Sequence, residues 1–342
     1  MTRGDVPAAS SGGRAGSAGG RAGSAGGRAG SAGATLDLLV AAGLWGGLYA
    51  VSAGTFDAVP PVTLNVLRLA VGLAVLLVAF RGRIGWGKAP RGRVLAAGVV
   101  VAITMLLQFA GTSLTGAAEG AILTTTTPAF VLVFGVLLEG ERVRWPAWLG
   151  VGIALVGVAV LALRPDAAAA AGSGGGDGPA TTTRLLGDLM LVGAAATWAL
   201  FSSIGRPLVA AVGAFRAILQ ATAVGLVLLL PLVPIELAGR PLPVVSPATI
   251  GAVLYLGVGS TAIAWSLWYR GYAAAPPAVS AAAFFAQPVV GAALGVLMLG
   301  ETLGPAFIAG SVLIAVGVTA IALAAGSARL RPARRLRAEE QA

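Results

Sequence analysis

Apolar runs of about twenty residues recur along most of this chain, and they restrict its fold more than any other feature. A run of that length matches the roughly 30 Å hydrocarbon core of a bilayer. Hydrophobic residues make up 57% of the chain and charged residues only 11%, whereas soluble domains carry about 25% charged residues. Backbone polar groups inside a bilayer have to be paired within the segment, and a helix does this. The sequence therefore predicts an all-α integral membrane protein.

About ten spans can be placed along the chain, in two sets of five. Residues 1–34 contain the motif RAGSAGG at 14–20 and 21–27 and its variant RAGSAGA at 28–34, and they are predicted to be a disordered cytoplasmic tail. The two halves are expected at 35–164 and 185–325, with a flexible linker at 165–184 and a basic tail at 326–342. The predicted spans are 36–55, 62–80, 94–113, 117–138, 146–163, 185–204, 212–233, 249–269, 276–298 and 304–325.

The positions of lysine and arginine predict the orientation of these spans. With a cytoplasmic N-terminus, 18 of the 23 Lys and Arg residues lie on the cytoplasmic side, three lie outside and two lie within spans. Cytoplasmic loops of membrane proteins are enriched in these residues. We therefore expect a multi-pass protein of the plasma (inner) membrane with both termini cytoplasmic. The Lys and Arg residues on the cytoplasmic side of a lipid bilayer then explain the net charge of +10, and no nucleic-acid partner is expected.

The two halves repeat one another at a fixed offset of 160 residues. The matched pairs include Pro128 and Pro288, Glu141 and Glu301, Gly150 and Gly310, and Gly157 and Gly317. Each half holds five spans, an odd number, so the second half is expected to enter the membrane from the opposite side. Inverted repeats of this kind are the architecture of many secondary transporters.

The order of these motifs resembles the EamA branch of the drug/metabolite transporter superfamily. Each half has a proline about a dozen residues before a Gly-Glu pair, and further similarity lies in AGLWGGLYA (42–50), NVLR (65–68) and YLGVGSTAIAWSLWY (255–269). The resemblance implies a basket of helices around a central cavity, with spans five and ten at its periphery. It also implies transport of amino acids, metabolites or hydrophobic compounds without a prosthetic group. It does not name the substrate.

Polar and aromatic side chains within the spans are the candidates for lining a cavity, because polar groups in a membrane have to be satisfied. Aromatic side chains could bind apolar or cationic cargo, or they could pack in the core or at the interface. The candidates are Trp45, Tyr49, Arg68, Gln108, Glu119, Thr125, Trp198, Ser260, Trp265, Phe284 and Gln287.

The charged candidates allow two interpretations each. Glu119 could bind a substrate amine or a coupling proton, or it could be a carboxylate at a helix N-terminus. Arg68 could attract a carboxylate or pair with Glu119, but snorkelling to the outer interface or capping a neighbouring backbone is the favoured interpretation.

Two repeated pairs are assigned structural roles. Pro128 and Pro288 predict helix breaks that act as hinges or as packing kinks. Glu141 and Glu301 are expected to cap the N-termini of spans five and ten.

These features favour a secondary transporter working by alternating access, with export as the favoured direction and a small molecule as cargo. The chain has no histidine and no cysteine, which argues against an enzyme, a bound metal or another cofactor. It has no Walker loop for ATP. A homodimer is left open. The alternative is a membrane scaffold or sensor whose N-terminal tail recruits a partner.

Overall fold

The computed structural model describes residues 20–79, 89–140, 143–163, 181–240, 242–243, 245–275 and 277–339, and all regular secondary structure in these ranges is helical. Nine helices there are long and apolar enough to cross a bilayer. They run over Ala32–Ala53 (span 1), Pro61–Ala79 (span 2), Arg91–Thr115 (span 3), Ala117–Leu138 (span 4), Trp145–Ala162 (span 5), Thr182–Ile204 (span 6), Pro247–Gly271 (span 8), Ala282–Leu299 (span 9) and Pro305–Ala324 (span 10).

Span 7 is the tenth crossing, and it belongs to a bent pair of helices. Arg206–Val212 and Ala214–Leu229 pass the same length and hydropathy test together, and they meet at an angle of 116°. Gly213 lies at the bend with a φ of 85°, a conformation that glycine adopts without steric cost. The predicted span 212–233 therefore corresponds to Ala214–Leu229, and the residues before it turn away. A second short helix, Leu232–Leu237, follows span 7.

The predicted tails and linker need correction where the structure describes them. The first helix begins at Gly20, so part of the predicted disordered tail continues span 1. Alanine and arginine are strong helix formers, and they extend a helix that the apolar span has already nucleated. The last helix likewise continues to Glu339, and the helix of span 6 begins at Thr181 within the predicted linker. Residues 1–19 and 164–180 lie outside the described ranges.

Two contacts at the ends of spans fix the relative directions of spans 1, 2 and 8. We call the face at which span 1 begins the near side and the opposite face the far side. On the far side, Glu236 before span 8 accepts hydrogen bonds from the backbone N–H groups of Val62 and Thr63 in the first turn of span 2, at 2.8 and 2.7 Å. On the near side, Asp37 of span 1 pairs with Arg270 of span 8 at 2.6 Å.

Spans of one half pack against spans of the other half. Span 5 crosses span 10, where Gly150 meets the backbone of Gly317 and Gly157 meets that of Gly310. Span 3 meets span 6 at Gly111. Its repeat equivalent Gly271, on span 8, meets span 1 in the same way. Small residues allow such close helix crossings in a membrane. These crossings therefore join spans at matching positions of the two halves.

Three spans are interrupted near the middle of the bundle. Span 4 contains a 3₁₀ turn at Thr124–Thr126, and span 8 contains a π-helical segment at Tyr255–Ile263. Pro277–Phe284 and Ala286–Leu299 form the two parts of the ninth helix, with the break at Phe285. Interruptions of this kind free backbone carbonyls and change the direction in which side chains point.

Candidate functional site

A cavity of about 140 Å³ lies inside the bundle. All spans except 5 and 10 contribute to its lining. Eight of the eleven residues that the sequence proposes for a cavity lie around it. These eight are Trp45, Tyr49, Arg68, Gln108, Trp198, Trp265, Phe284 and Gln287.

A directional chain of hydrogen bonds crosses the cavity wall at Tyr49. The Gln108 side-chain amide donates to the Tyr49 hydroxyl at 2.7 Å. The Thr124 hydroxyl donates to the carbonyl of Gly120 at 2.8 Å, so its oxygen is left to accept from the Tyr49 hydroxyl at 2.6 Å. Gln287 adds a longer bond of 3.3 Å to Thr124. The chain thus joins spans 1, 3, 4 and 9 through buried polar groups, which stabilises one arrangement of these helices.

Arg68 is the charged side chain of the cavity lining. Its side chain is 2% exposed, so it does not snorkel to the interface, and its hydrogen bond goes to a side chain and not to a neighbouring backbone group. Its Nε donates to the Thr261 hydroxyl at 3.0 Å, and its guanidinium carbon lies 5.2 Å from the centre of the Phe109 ring. Its Nη1 has no hydrogen-bond partner among the described residues.

The π-helical segment of span 8 provides partners for span 1 and span 2. The Thr261 hydroxyl donates to the carbonyl of Leu256, five residues earlier, at 2.8 Å, and it accepts from Arg68. The Ser260 carbonyl accepts from the Trp45 indole N–H at 3.0 Å. The wider helical turn therefore fixes both the arginine and a tryptophan of the cavity, as π-segments at functional sites often do.

Aromatic rings form one wall of the cavity. The ring centres of Trp45 and Trp268 are 5.0 Å apart, and those of Trp268 and Phe284 are 5.6 Å apart. Trp198 lines another part of the cavity and packs against Phe201 at 5.5 Å. Contacts at these distances hold the rings in tilted and edge-to-face arrangements. The cavity thus joins an apolar wall to a single positive charge.

Span 4 shows how its proline is accommodated. Pro128 cannot donate to the carbonyl of Thr124, four residues earlier. The Thr127 hydroxyl donates to that carbonyl instead, at 2.8 Å. The hydroxyls of Thr125 and Thr126 bond carbonyls three residues back in the same way. Pro128 therefore lies at an observed break, while Pro288 lies just after the break of the ninth helix at Phe285. Whether either acts as a hinge stays a prediction.

Three proposed cavity residues lie elsewhere. Glu119 is held by Arg184 at the far end of span 4, in a buried ion pair that does not line the cavity. It therefore does not pair with Arg68. The hydroxyls of Thr125 and Ser260 are bonded within their own helices, to Ile122 and Leu256.

Glu301 caps a different helix from the one predicted. Its carboxylate accepts hydrogen bonds from the backbone N–H groups of Ala117 at 2.6 Å and Ala118 at 2.8 Å. These groups belong to the N-terminus of span 4, not span 10, because the far-side loops bring the two places together. Glu141 lies outside the described residues.

Several lining residues were missed by the sequence analysis. Thr124 and Thr127 face the cavity in place of Thr125. They are three residues apart, the spacing that puts two side chains on one helix face. Thr104 and Gln108 on span 3 have the matching spacing of four, and only Gln108 was proposed. On the near side, Trp268 and Tyr269 also line the cavity, and neither was among the proposed residues.

The far end of the bundle is closed above the cavity. A cluster of buried residues, with Phe56 packed against it, fills this end. The cluster consists of Leu48, Tyr49, Ala50, Val59, Leu64, Phe109, Ala117, Ala121 and Leu256. Within the described part of the chain, no group of three acidic residues could hold a metal ion.

A cavity between two packed halves of a polytopic helical bundle is the arrangement of a membrane transporter. The chain belongs to the EamA-like transporter family, whose sequence model matches residues 34–163 and 185–323, one segment in each half. The spans at the periphery, 5 and 10, are those that the resemblance implied.

Proteins of similar sequence are also named as transporters or exporters. The chain is 24% identical to the "Uncharacterized transporter YwfM" of Bacillus subtilis strain 168, over 85% of this chain and 94% of that protein. It is 27% identical to the "Probable terminal-alkyne amino-acid exporter" of Streptantibioticus cattleyicolor, over 60% of this chain and 64% of that protein. A solved crystal structure matches with a TM-score of 0.58 at 23% identity, covering 85% of this chain and 96% of that chain, and it shares the fold.

Proposed function

We propose that this protein is a secondary carrier that exports small amphipathic organic molecules by alternating access. The observation that carries the proposal is the central cavity, which has an aromatic wall, a buried cation and an apolar closure on one side. A cavity of about 150 Å³ can hold a molecule of the size of benzene. The volume of about 140 Å³ therefore suits a small cargo or the ring of a larger one.

Alternating access requires two halves that can exchange conformations around a central site. The paired contacts of spans 3 and 6 and of spans 8 and 1 support this, because each is the repeat equivalent of the other. The far side is closed by its apolar cluster, while the lining continues toward the near side through Trp268 and Tyr269. We assign the near side to the cytoplasm from the distribution of Lys and Arg. Export then requires that cargo enters the cavity from this side.

The name of the Streptantibioticus relative gives support for export and for an amphipathic cargo. The absence of histidine and cysteine from the chain leaves little means for nucleophilic catalysis in the cavity. A carrier therefore fits these residues better than an enzyme does.

Counterflow in proteoliposomes tests the proposal. Purified protein would be reconstituted with a panel of amino acids, aromatic acids and lipophilic cations, with and without a pH gradient. We expect accelerated exchange of at least one member relative to protein-free liposomes. Lack of exchange across the panel, by protein shown to be folded, would contradict the carrier function.

A matched pair of substitutions connects the exchange to the cavity. Ala195 lines the cavity, and Ala195→Phe would fill part of it. Ala159 is exposed on span 5, at the periphery, and Ala159→Phe adds the same ring outside the cavity. We expect the first variant to lose exchange and the second to keep it. Equal exchange by both would place the transport path elsewhere.

A further inference from the structure

We propose that the cavity selects its cargo by a carboxylate group, which the guanidinium of Arg68 binds while the apolar body lies against Trp45, Trp268 and Phe284. This inference rests on the proposed carrier function and names the class of its substrates. The expected cargo is an organic acid with one negative charge and an aromatic or aliphatic body.

The first step of the argument is the unbalanced charge. Among the described residues that line the cavity, Arg68 is the charged one, and no carboxylate contacts it there. A buried charge inside a membrane protein is costly unless it is paired or serves a function. The protein's own groups give Arg68 one hydroxyl and one aromatic face. A bound anion would complete its environment.

The second step is geometry. Thr261 occupies Nε, and Nη1 is buried without a partner. A guanidinium presents its N–H groups in a planar fork that matches a carboxylate. Arg68 lines the cavity, so this fork, rather than the enclosed Nη1 alone, is the donor for a carboxylate bound there. Thr261 is itself fixed by its bond to Leu256, so the donor is held in place before cargo arrives.

The third step excludes the other charge classes. Glu119 cannot serve as an internal counter-ion, because Arg184 holds it at the far end of span 4. A cationic amine would meet a positive charge in the cavity. A doubly charged anion would leave one negative charge without a partner in a low-dielectric site. A monocarboxylate balances the single cation, and the ring contacts at 5.0 and 5.6 Å form a surface for its body.

Tryptophan fluorescence of the full chain in detergent provides a direct binding assay, because Trp45, Trp198, Trp265 and Trp268 line the cavity. The probes would be phenyl carboxylates from benzoate to 4-phenylbutanoate, each with its neutral amide and its amine. We expect the best carboxylate to bind at least about tenfold more tightly than its amide or amine, since a hydrogen bond to a charged group contributes about 1.5 kcal/mol or more.

Substitutions then attribute the preference to Arg68. In Arg68→Gln the ratio of carboxylate to amide affinity should fall toward one, and Arg68→Lys should keep a preference for the acid. Arg240→Gln, at an exposed position of the far-side loop, is the matched control and should leave the ratio unchanged. If Arg68→Gln does not fold, the wild-type ratio and the Arg68→Lys ratio decide the question.

The outcomes separate this inference from the carrier function. Equal affinity for acid and amide, a preference that survives Arg68→Gln, or no binding by any probe would overturn the inference. Selective binding of acids without counterflow would instead contradict transport alone. Counterflow of amides as rapid as that of acids would leave the carrier function standing and contradict carboxylate selection.

Discussion

The Glu301 carboxylate lies in a small cradle that allows a sharp test of the fold. It caps span 4 through the N–H groups of Ala117 and Ala118. Two glycines leave space for it. A Cβ on Gly116 would lie 2.5 Å from the Glu301 Oε1 atom, and a Cβ on Gly295 would overlap Oε2. We therefore expect Gly295→Ala to displace the carboxylate and to destabilise the protein.

The size of the effect follows from the two hydrogen bonds. A hydrogen bond to a charged group contributes about 1.5–3 kcal/mol, and water at the far side would replace part of what is lost. We expect Glu301→Ala to cost about 2–4 kcal/mol and Gly295→Ala to approach that value. Gly300 is the control for backbone strain. Its φ is 68° and nothing lies within 4 Å of a Cβ there, so Gly300→Ala should cost about 1 kcal/mol.

A double-mutant cycle provides the decisive measurement, by denaturant unfolding in mixed micelles. With Glu301 present, Gly295→Ala should lower the free energy of unfolding. In the Glu301→Ala background the same change should be neutral or stabilising, because alanine is favoured over glycine by about 1 kcal/mol inside a helix. The same destabilisation in both backgrounds would refute the cradle.

Three further substitutions test the packing, the helix break and the near-side ion pair. Gly157→Ala, which would overpack the crossing of spans 5 and 10, should cost about 1–3 kcal/mol in unfolding assays, whereas Gly152→Ala, in open space, should not destabilise. Thr127→Val should cost about 1 kcal/mol because a carbonyl loses its donor, and adding Pro128→Ala should recover it; equal costs in both backgrounds would contradict this role. Asp37→Asn should leave the thermal midpoint nearly unchanged, since its pair is solvent-exposed, and a large drop would contradict that.

The bilayer explains why the spans could be predicted from the sequence. Its thickness fixes the length of each crossing, so hydropathy alone places the helices that the structure shows. The proline of span 4 also carries a local signal, because its effect on the helix depends only on neighbouring residues. Thr127 could therefore be expected to compensate for Pro128. Where a feature depends on distance along one helix, sequence reasoning succeeds.

Contacts between distant spans were not accessible in this way. Arg68 lies about two turns into span 2, within reach of the interface for a long side chain, but Thr261 and Phe109 enclose it in the folded protein. Glu119 and Arg184 are 65 residues apart, and nothing local connects them. The sequence analysis named Thr125, whereas its neighbour Thr124 lines the cavity. A 3₁₀ turn lies at this point, and such a turn changes the direction in which successive side chains point.

The cost of charge in a membrane explains why Arg68, not Glu119, is the group to test for cargo binding. The sequence alone allowed a functional and a structural interpretation for each of them. Glu119 has a cationic partner, and Glu301 and Glu236 are bound by the N–H groups of helix N-termini. Arg68 has a hydroxyl and a ring face, and it alone of these four lines the cavity. A group whose charge is already balanced cannot gain much from a ligand, whereas one with an unused donor can. We therefore expect the specificity for cargo to depend on Arg68, whose charge no carboxylate of the described cavity lining balances.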